Sequence, residues 1–323
     1  MGDIAILVPV LKALLKQNKD VKITVLTQKF FTPIFKDLKN VDVYTIDTKA
    51  KHKGFLGLFK LYKELKKNNF TAIADVHNVL RSNILKIFFF KKNFIQIDKG
   101  RKEKKDLVAK KKFVQLKTSH ERYADIFRKL GFKIDLSNPD FPEKAILPSK
   151  IRNILSVAKN KKIIGIAPFA AHKGKMYPLE KMKIVIEQLS KNYNILLFGG
   201  KNELPILSSF ENNSSIISIA GKLTFTEELE TISNLNCMLS MDSGNAHLAA
   251  MYGVKVVTIW GITHPFAGFA PFNQPKEYAI IPDLRKFPKI PTSIYGNKCP
   301  ENYLSAAGNI LPEKIITKIN NLL

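Results

Sequence analysis

Hydrophobic and polar positions follow two rhythms along this chain. Short β-branched or continuously apolar runs alternate with longer stretches whose apolar residues recur three and four apart. The first seventeen residues, MGDIAILVPVLKALLKQ, already carry the helical pattern, with Asp3 at the mouth of the helix and no strand before it. Strands are predicted at Val21–Thr27, Val41–Ile46, Phe70–Asp75 and Phe94–Ile97. Between them the spacing predicts helices at Phe31–Leu38, at Gly54–Lys67 (apolar at Phe55, Leu58, Phe59, Tyr62 and Leu65) and around Arg81. Gly100–Lys112 is charged throughout and is predicted as a loop, after which His120–Leu130 resumes as a helix.

The stretch Asp135–Pro142 is polar and proline-marked and reads as a linker. The alternation then restarts. Helices are predicted at Ser149–Ala158, Leu179–Asn192 and Pro312–Leu323, and strands at Lys162–Ala167, Asn194–Phe198, Cys237–Ser240 and Val254–Ile259. Strands separated by helices of this length build βαβ units on a parallel sheet. The expected organisation is two α/β domains, residues 1–148 and 149–323, with a ligand cleft at the carboxyl ends of the strands.

Composition changes this picture in one respect, the charge. Fifty-two Lys and Arg against 27 Asp and Glu give a net charge of +25. Residues 1–148 carry +17 of it and residues 149–323 carry +8. Such an excess points to an anionic partner (nucleic acid, a phosphorylated substrate or an anionic membrane face), although a Lys-, Asn- and Ile-rich composition produces it as well. No apolar run is long enough to span a bilayer, and the start lacks the basic region of a secretory signal. Cys237 and Cys299 stand far apart and suit reduced thiols in the cytoplasm.

The six histidines and two cysteines show no paired metal-ligand spacing, and no Walker lysine motif, G-x-G-x-x-G or G-x-S-x-G is present. Three strand ends in the second half carry the candidate chemistry. In Leu239–Ala250 an apolar run enters Asp242-Ser243-Gly244 and a small-residue helix leaves it. Asp and Ser are N-cap residues, and a helix start exposes N–H groups to an anion. His247 lies in the first turns, where the helix dipole disfavours its charged form; a capping turn with a packed histidine has the same pattern. In Ala167–Pro178 a glycine-containing loop carries Lys175, placed to meet a phosphate as a point charge. As a loop lysine it should carry little packing, with a stability effect of no more than ~0.5 kcal/mol on replacement. In Leu197–Glu203 a carboxylate follows a glycine-flanked strand end, where it either accepts from a ribose diol or caps a turn. Cation, carboxylate and helix start together describe a nucleotide-diphosphate pocket.

Gly2-Asp3 before Val8-Pro9, Lys175–Pro178, Gly199–Glu203, Asp242–His247 and Trp260–Pro265 together resemble glycosyltransferase family 9, the ADP-heptose–lipopolysaccharide heptosyltransferases. The resemblance covers nearly the whole chain in order, and the D-[ST]-G-x-x-H segment is its most specific part. It implies a GT-B fold, two Rossmann-like domains with a cleft between them. It further implies inverting transfer without a cofactor or metal, the N-terminal domain receiving a lipid-linked saccharide acceptor and the C-terminal domain an ADP-linked donor. Asp3 matches the family's catalytic aspartate, the general base. Lys175 matches the lysine on the donor phosphates, Glu203 the acid on the ribose and Asp242 the contact to the sugar, with Ser243, Gly244 and His247 along the diphosphate. Ala170 and Ala171 stand where some members have hydroxyl residues, and Tyr177 replaces a frequent tryptophan. Members begin with a strand before the Gly-Asp turn. That first strand of the N-terminal domain is missing here, which leaves Val21–Thr27 short of one partner; a start set upstream by about ten residues would supply it.

The reading is therefore a cytoplasmic glycosyltransferase, peripheral at the inner face of the inner membrane, that moves heptose from ADP-heptose onto a lipopolysaccharide-type acceptor. Gly54–Lys67 and Phe88–Lys92 are candidates for touching lipid, with core packing as the other role for their aromatics. Two alternatives stay open: a GT-B transferase using another nucleotide-sugar, and a non-catalytic basic nucleic-acid-binding or assembly protein.

Overall fold

A computed structural model of the chain describes residues 1–155 and 161–323. It divides into two compact units: Met1 with Leu7–Arg101 and Ser119–Asp140, and Gly2–Ile6 with Lys102–Thr118 and Phe141–Leu323.

Helix α1 (Gly2–Gln17) forms as its pattern dictates, burying Val8, Val10, Leu11 and Leu14, and it tolerates Pro9 in its interior. In the first unit β1 (Ile23–Thr27) pairs in parallel with β2 (Val41–Thr45), Ile23 opposite Val41 and Thr27 opposite Thr45. Helix α2 (Gly54–Lys66) follows and packs Leu58, Leu61 and Leu65 inward. A second parallel pair, β3 (Ala72–Asp75) and β4 (Asn93–Gln96), is linked through α3 (Leu80–Phe88). Among the described residues no ladder joins the two pairs, so β1 has a neighbour on one side only.

Two expectations need correction in this region. The segment predicted as a helix at Phe31–Leu38 is a 3-10 helix over Lys29–Phe35. Pro33 lies inside it, and proline lacks the N–H that an α-helix would use there. The predicted loop at Gly100–Lys112 contains α4 (Arg101–Val108). Its apolar periodicity is absent because it buries only Lys104 and Leu107. The Lys104 ammonium lies 4.3 Å from the centre of the Phe269 ring, so a charged residue does the packing there. Helix α5 (Ser119–Lys129) then packs on β3 and β4. Helix α6 (Ser149–Leu155) begins where expected, and Ser156, Val157 and Ala158 of the predicted helix lie outside the described residues.

The second unit holds one six-stranded parallel sheet. Its strands are β5 (Ile163–Ala167), β6 (Asn194–Leu197), β7 (Ile216–Ser218), β8 (Cys237–Met241), β9 (Lys255–Ile259) and β10 (Ala279–Ile280). Their order is β10-β9-β8-β5-β6-β7. The connections run outward from β5 in one direction and then, starting at β8, in the other, the arrangement that opens a crevice at the carboxyl ends of β5 and β8. Helices α7 (Leu179–Ser190), α8 (Leu204–Ser208), α9 (Phe225–Ser233), α10 (Gly244–Ala250) and α11 (Pro312–Leu322) complete the unit. Strands β6 and β8 are buried at every position, which is why they read as continuous apolar runs rather than alternating ones. Helix α7 buries Met182, Val185, Ile186 and Leu189, one stripe at spacings of three and four. Each such residue contributes about 1.5–3 kcal/mol on burial, far more than helix propensity does. Strands β7 and β10 span three and two residues and gave no pattern to read.

Candidate functional site

The sheet order brings two strand ends side by side. Strand β5 leads into the loop before α7, and β8 leads into Asp242 and α10. The first loop is held by close backbone packing. The Ile262 N–H donates to the Gly174 carbonyl at 2.9 Å. A Cβ at Gly261 would lie 2.0 Å from that same oxygen, so only glycine fits. Tyr177 is buried behind the loop, its hydroxyl donating to the Ile310 carbonyl at 2.9 Å. Burial, with Glu313 and Glu180 nearby, pushes its pKa well up.

On this frame the Lys175 ammonium stands 2.7 Å from Oδ2 of Asp242, with side chains 14% and 8% exposed. It also donates to the Asp242 carbonyl at 3.2 Å. Lys175 is thus no exposed loop lysine, and the expectation of a negligible stability effect falls with that. Gly296, at φ 83°, packs on its aliphatic stem; a Cβ there would lie 2.7 Å from Cε. Thr263, from the turn after β9, donates to Oδ2 of Asp242 at 2.8 Å. No role was assigned to Thr263 from sequence. Its only signal was membership of the Trp260–Pro265 segment, and its contact across 21 residues is set by the adjacency of β8 and β9.

Ser243 holds the N-cap position of α10 without a side-chain capping bond, its Oγ 3.0 Å from that of Ser240, and Gly244 opens the helix. His247 lies on this helix and is 8% exposed. Burial pushes its pKa down to about 4, with Lys175 acting in the same direction and the Asp242 and Asp3 carboxylates opposing. Its Nδ1 and the Oδ1 of Asn245 are buried and make no hydrogen bond within the described residues. Buried polar atoms are normally paired, so an orphaned imidazole nitrogen beside a charged pair is a candidate contact for a ligand. The start of α1 meets this helix: a Cβ at Gly2 would lie 3.4 Å from Cδ2 of His247 and 3.8 Å from the Gly244 Cα. Asp3 is exposed in the first turn of α1, within electrostatic reach of His247.

Glu203 sits past the end of β6, the strand next to β5. Its Oε2 accepts the Gly200 N–H at 2.6 Å, a local turn cap. Lys175, Asp242, Ser243, Gly244, His247 and Asp3 are therefore brought together, while Glu203 lies at the same edge of the sheet without a direct bond to them. Among the described residues no three His, Cys, Asp or Glu side chains are grouped to hold a metal.

A cation, a hydrogen-bonding carboxylate and buried polar atoms left unpaired among the described residues stand at the reversal point of a parallel sheet, where open α/β folds bind their ligands. The family follows from comparison with known proteins. The chain belongs to glycosyltransferase family 9 (heptosyltransferase), whose model matches residues 58–289. It is 25% identical over 336 aligned positions to lipooligosaccharide heptosyltransferase 2 of Campylobacter jejuni, covering 100% of this chain and 95% of that one. Lipopolysaccharide heptosyltransferase 1 of Campylobacter coli is 26% identical, with 81% of this chain and 82% of that one covered. Among solved structures, a family 9 glycosyl transferase from Veillonella parvula superposes with a TM-score of 0.76 at 20% identity, over 99% of this chain and 94% of that one. The Escherichia coli heptosyltransferase WaaC with ADP gives 0.69 at 15%, over 100% and 97%. The fold is GT-B, with two Rossmann-like domains, and the protein is a glycosyltransferase.

Proposed function

We propose that the protein transfers heptose from ADP-heptose to a lipopolysaccharide-type acceptor with inversion at the anomeric carbon. In this reading residues 149–323 bind the donor and residues 1–148 the lipid-linked acceptor. Lys175 neutralises the diphosphate, Asp242 contacts the sugar, Glu203 takes the ribose hydroxyls, and Ser243, Gly244 and His247 line the phosphates. Asp3 accepts the proton of the attacking hydroxyl as that oxygen bonds to the anomeric carbon. The bond from that carbon to the phosphate oxygen breaks, and ADP leaves with a gain of negative charge that the Lys175 ammonium offsets. The enzyme works in the cytoplasm, at the anionic inner face of the membrane.

One observation carries the reading: the Lys175–Asp242 pair beside the orphaned Nδ1 of His247. At pH 7 an imidazole held down to about 4 is neutral, so it serves as a hydrogen-bonding group rather than a cation. Calorimetry with ADP and UDP tests the donor site. ADP is expected to bind, and Lys175→Ala to weaken it by about tenfold or more, which is 1.4 kcal/mol. Equal ADP affinity in that variant refutes the phosphate role, and preference for UDP moves the reading to another nucleotide-sugar. Asp3→Asn should keep ADP affinity and lose transfer to heptose-free lipopolysaccharide; full transfer removes Asp3 as the base.

A further inference from the structure

We propose that the face built by α2 and α3 in the first unit is a docking surface for an anionic lipid bilayer. The inference rests on the reading of the acceptor as lipid-linked and assigns the surface that brings the enzyme to it. Helix α2 spends Leu58, Leu61 and Leu65 on the core, yet it also leaves Phe55 61%, Leu56 81% and Phe59 39% exposed. Helix α3 and the residues after it add Ile87 at 69% and Phe90 at 75%. Part of this apolar set is joined through Phe88, whose ring meets Phe55 and Phe59 edge-on at 5.4 and 5.5 Å.

Lysines overlie the same rings. The ammonium groups of Lys63, Lys66 and Lys91 stand 4.8, 5.8 and 5.7 Å from the ring centres of Phe59, Tyr62 and Phe90. Residues 49–92 hold eleven Lys and Arg against two acidic residues, a net of +9. Both acids are engaged within the unit. Glu64 accepts from the Tyr44 hydroxyl at 2.6 Å, pairs with Lys51 at 2.9 Å and lies 3.1 Å from the buried His52. Asp75 is buried and accepts from the backbone of His77 and Asn78 and from Gln96. The outward field of this face is therefore set by its lysines.

Apolar side chains set among lysines have the chemistry of the membrane interface, rings and aliphatic groups entering the acyl boundary while ammonium groups meet anionic headgroups. A protein interface core is depleted of lysine, whereas here lysines cover the rings themselves. Nucleic-acid binding uses aromatic stacking, to which the exposed aliphatic residues Leu56 and Ile87 contribute nothing.

The full-length protein should co-sediment with vesicles of equal parts phosphatidylglycerol and phosphatidylcholine, and not with phosphatidylcholine alone. Leu56→Ser/Phe90→Ser should lower vesicle affinity by about tenfold or more, as should Lys60→Glu/Lys91→Glu, because interfacial binding adds an apolar and an electrostatic part. These positions are exposed, so melting temperature and ADP affinity should stay at the wild-type values. Wild-type affinity in both variants overturns the surface assignment, and equal binding to neutral vesicles overturns the anionic part. Absent vesicle binding, with capture of a fluorescent oligonucleotide that the lysine variant loses, would replace the bilayer by nucleic acid. A failure here leaves ADP binding intact, so it is separable from a failure of the donor site.

Discussion

Removing the Lys175 ammonium leaves a carboxylate, Asp242, 8% exposed and held by the Thr263 hydroxyl. Breaking a buried ion pair from one side costs about 3–5 kcal/mol, because the remaining charge loses its partner but not its burial. The lower end applies, since Lys175 is 14% exposed and Thr263 still donates. Lys175→Met should therefore destabilise the protein by about 3 kcal/mol, a fall of about 6 °C in melting temperature at pH 7. Methionine keeps the stem that packs under Gly296, so the loss reports the charge. Adding Asp242→Asn removes the second charge, and the double variant should recover about 1 kcal/mol or more relative to Lys175→Met. The assay is thermal and urea unfolding of the four members of this cycle without nucleotide. A Lys175→Met protein within ~0.5 kcal/mol of wild type, the value for an exposed lysine, refutes the buried pair.

Gly296→Ala places a Cβ 2.7 Å from Cε of Lys175 at φ 83°. It should weaken ADP by about tenfold in calorimetry, yet have no further effect in a Lys175→Met background; an equal loss in both would refute positioning through Lys175. Burial pushes His247 and His264 from 6.5 down to about 4, so their contribution is complete above pH 6.5 and is lost as pH falls toward 4. Burial pushes Glu228 from 4.5 up to about 7, and its contribution runs the other way, lost as pH rises between those values. Two imidazoles against one carboxyl leave a net uptake of about one proton on unfolding between pH 5 and 6, so stability should rise there by about 1.4 kcal/mol per pH unit. Urea unfolding at pH 5, 6 and 7 checks the sign, and a flat or falling trend refutes it.

One helix start was missed although the sequence holds a signal for it. Thr224 and Glu227 form a capping box at the start of α9, with the Glu227 N–H on Thr224 Oγ1 at 3.2 Å and the Thr224 N–H on Glu227 Oε2 at 2.7 Å. That T-x-x-E spacing is a readable helix start. Helix α4 is different. Its lysine-rich turn has no periodic apolar stripe, and it is legible only once the Phe269 ring that receives Lys104 is in place.

The sequence alone determined the alternation of elements, because apolar periodicity is local and the β6 and β8 runs reflect burial on both faces. It also placed Lys175, Glu203 and the Asp242–His247 turn at strand ends, since each follows a strand visible in the pattern. Only the tertiary structure decided which of these side chains meet. Placing β8 beside β5 puts Asp242 against Lys175 across 67 residues, and placing β9 beside β8 adds Thr263. Burial was decided there too, and with it the neutral state of His247 and the structural weight of Lys175. The exposed rings of α2 belong to the same category: one amphipathic pattern held both Leu58 and Leu65, which are buried, and Phe55 and Phe59, which stay exposed, and only the tertiary structure separates them. The physical reason is that strand order, desolvation and ion pairing depend on neighbours distant in sequence, which no local rhythm encodes.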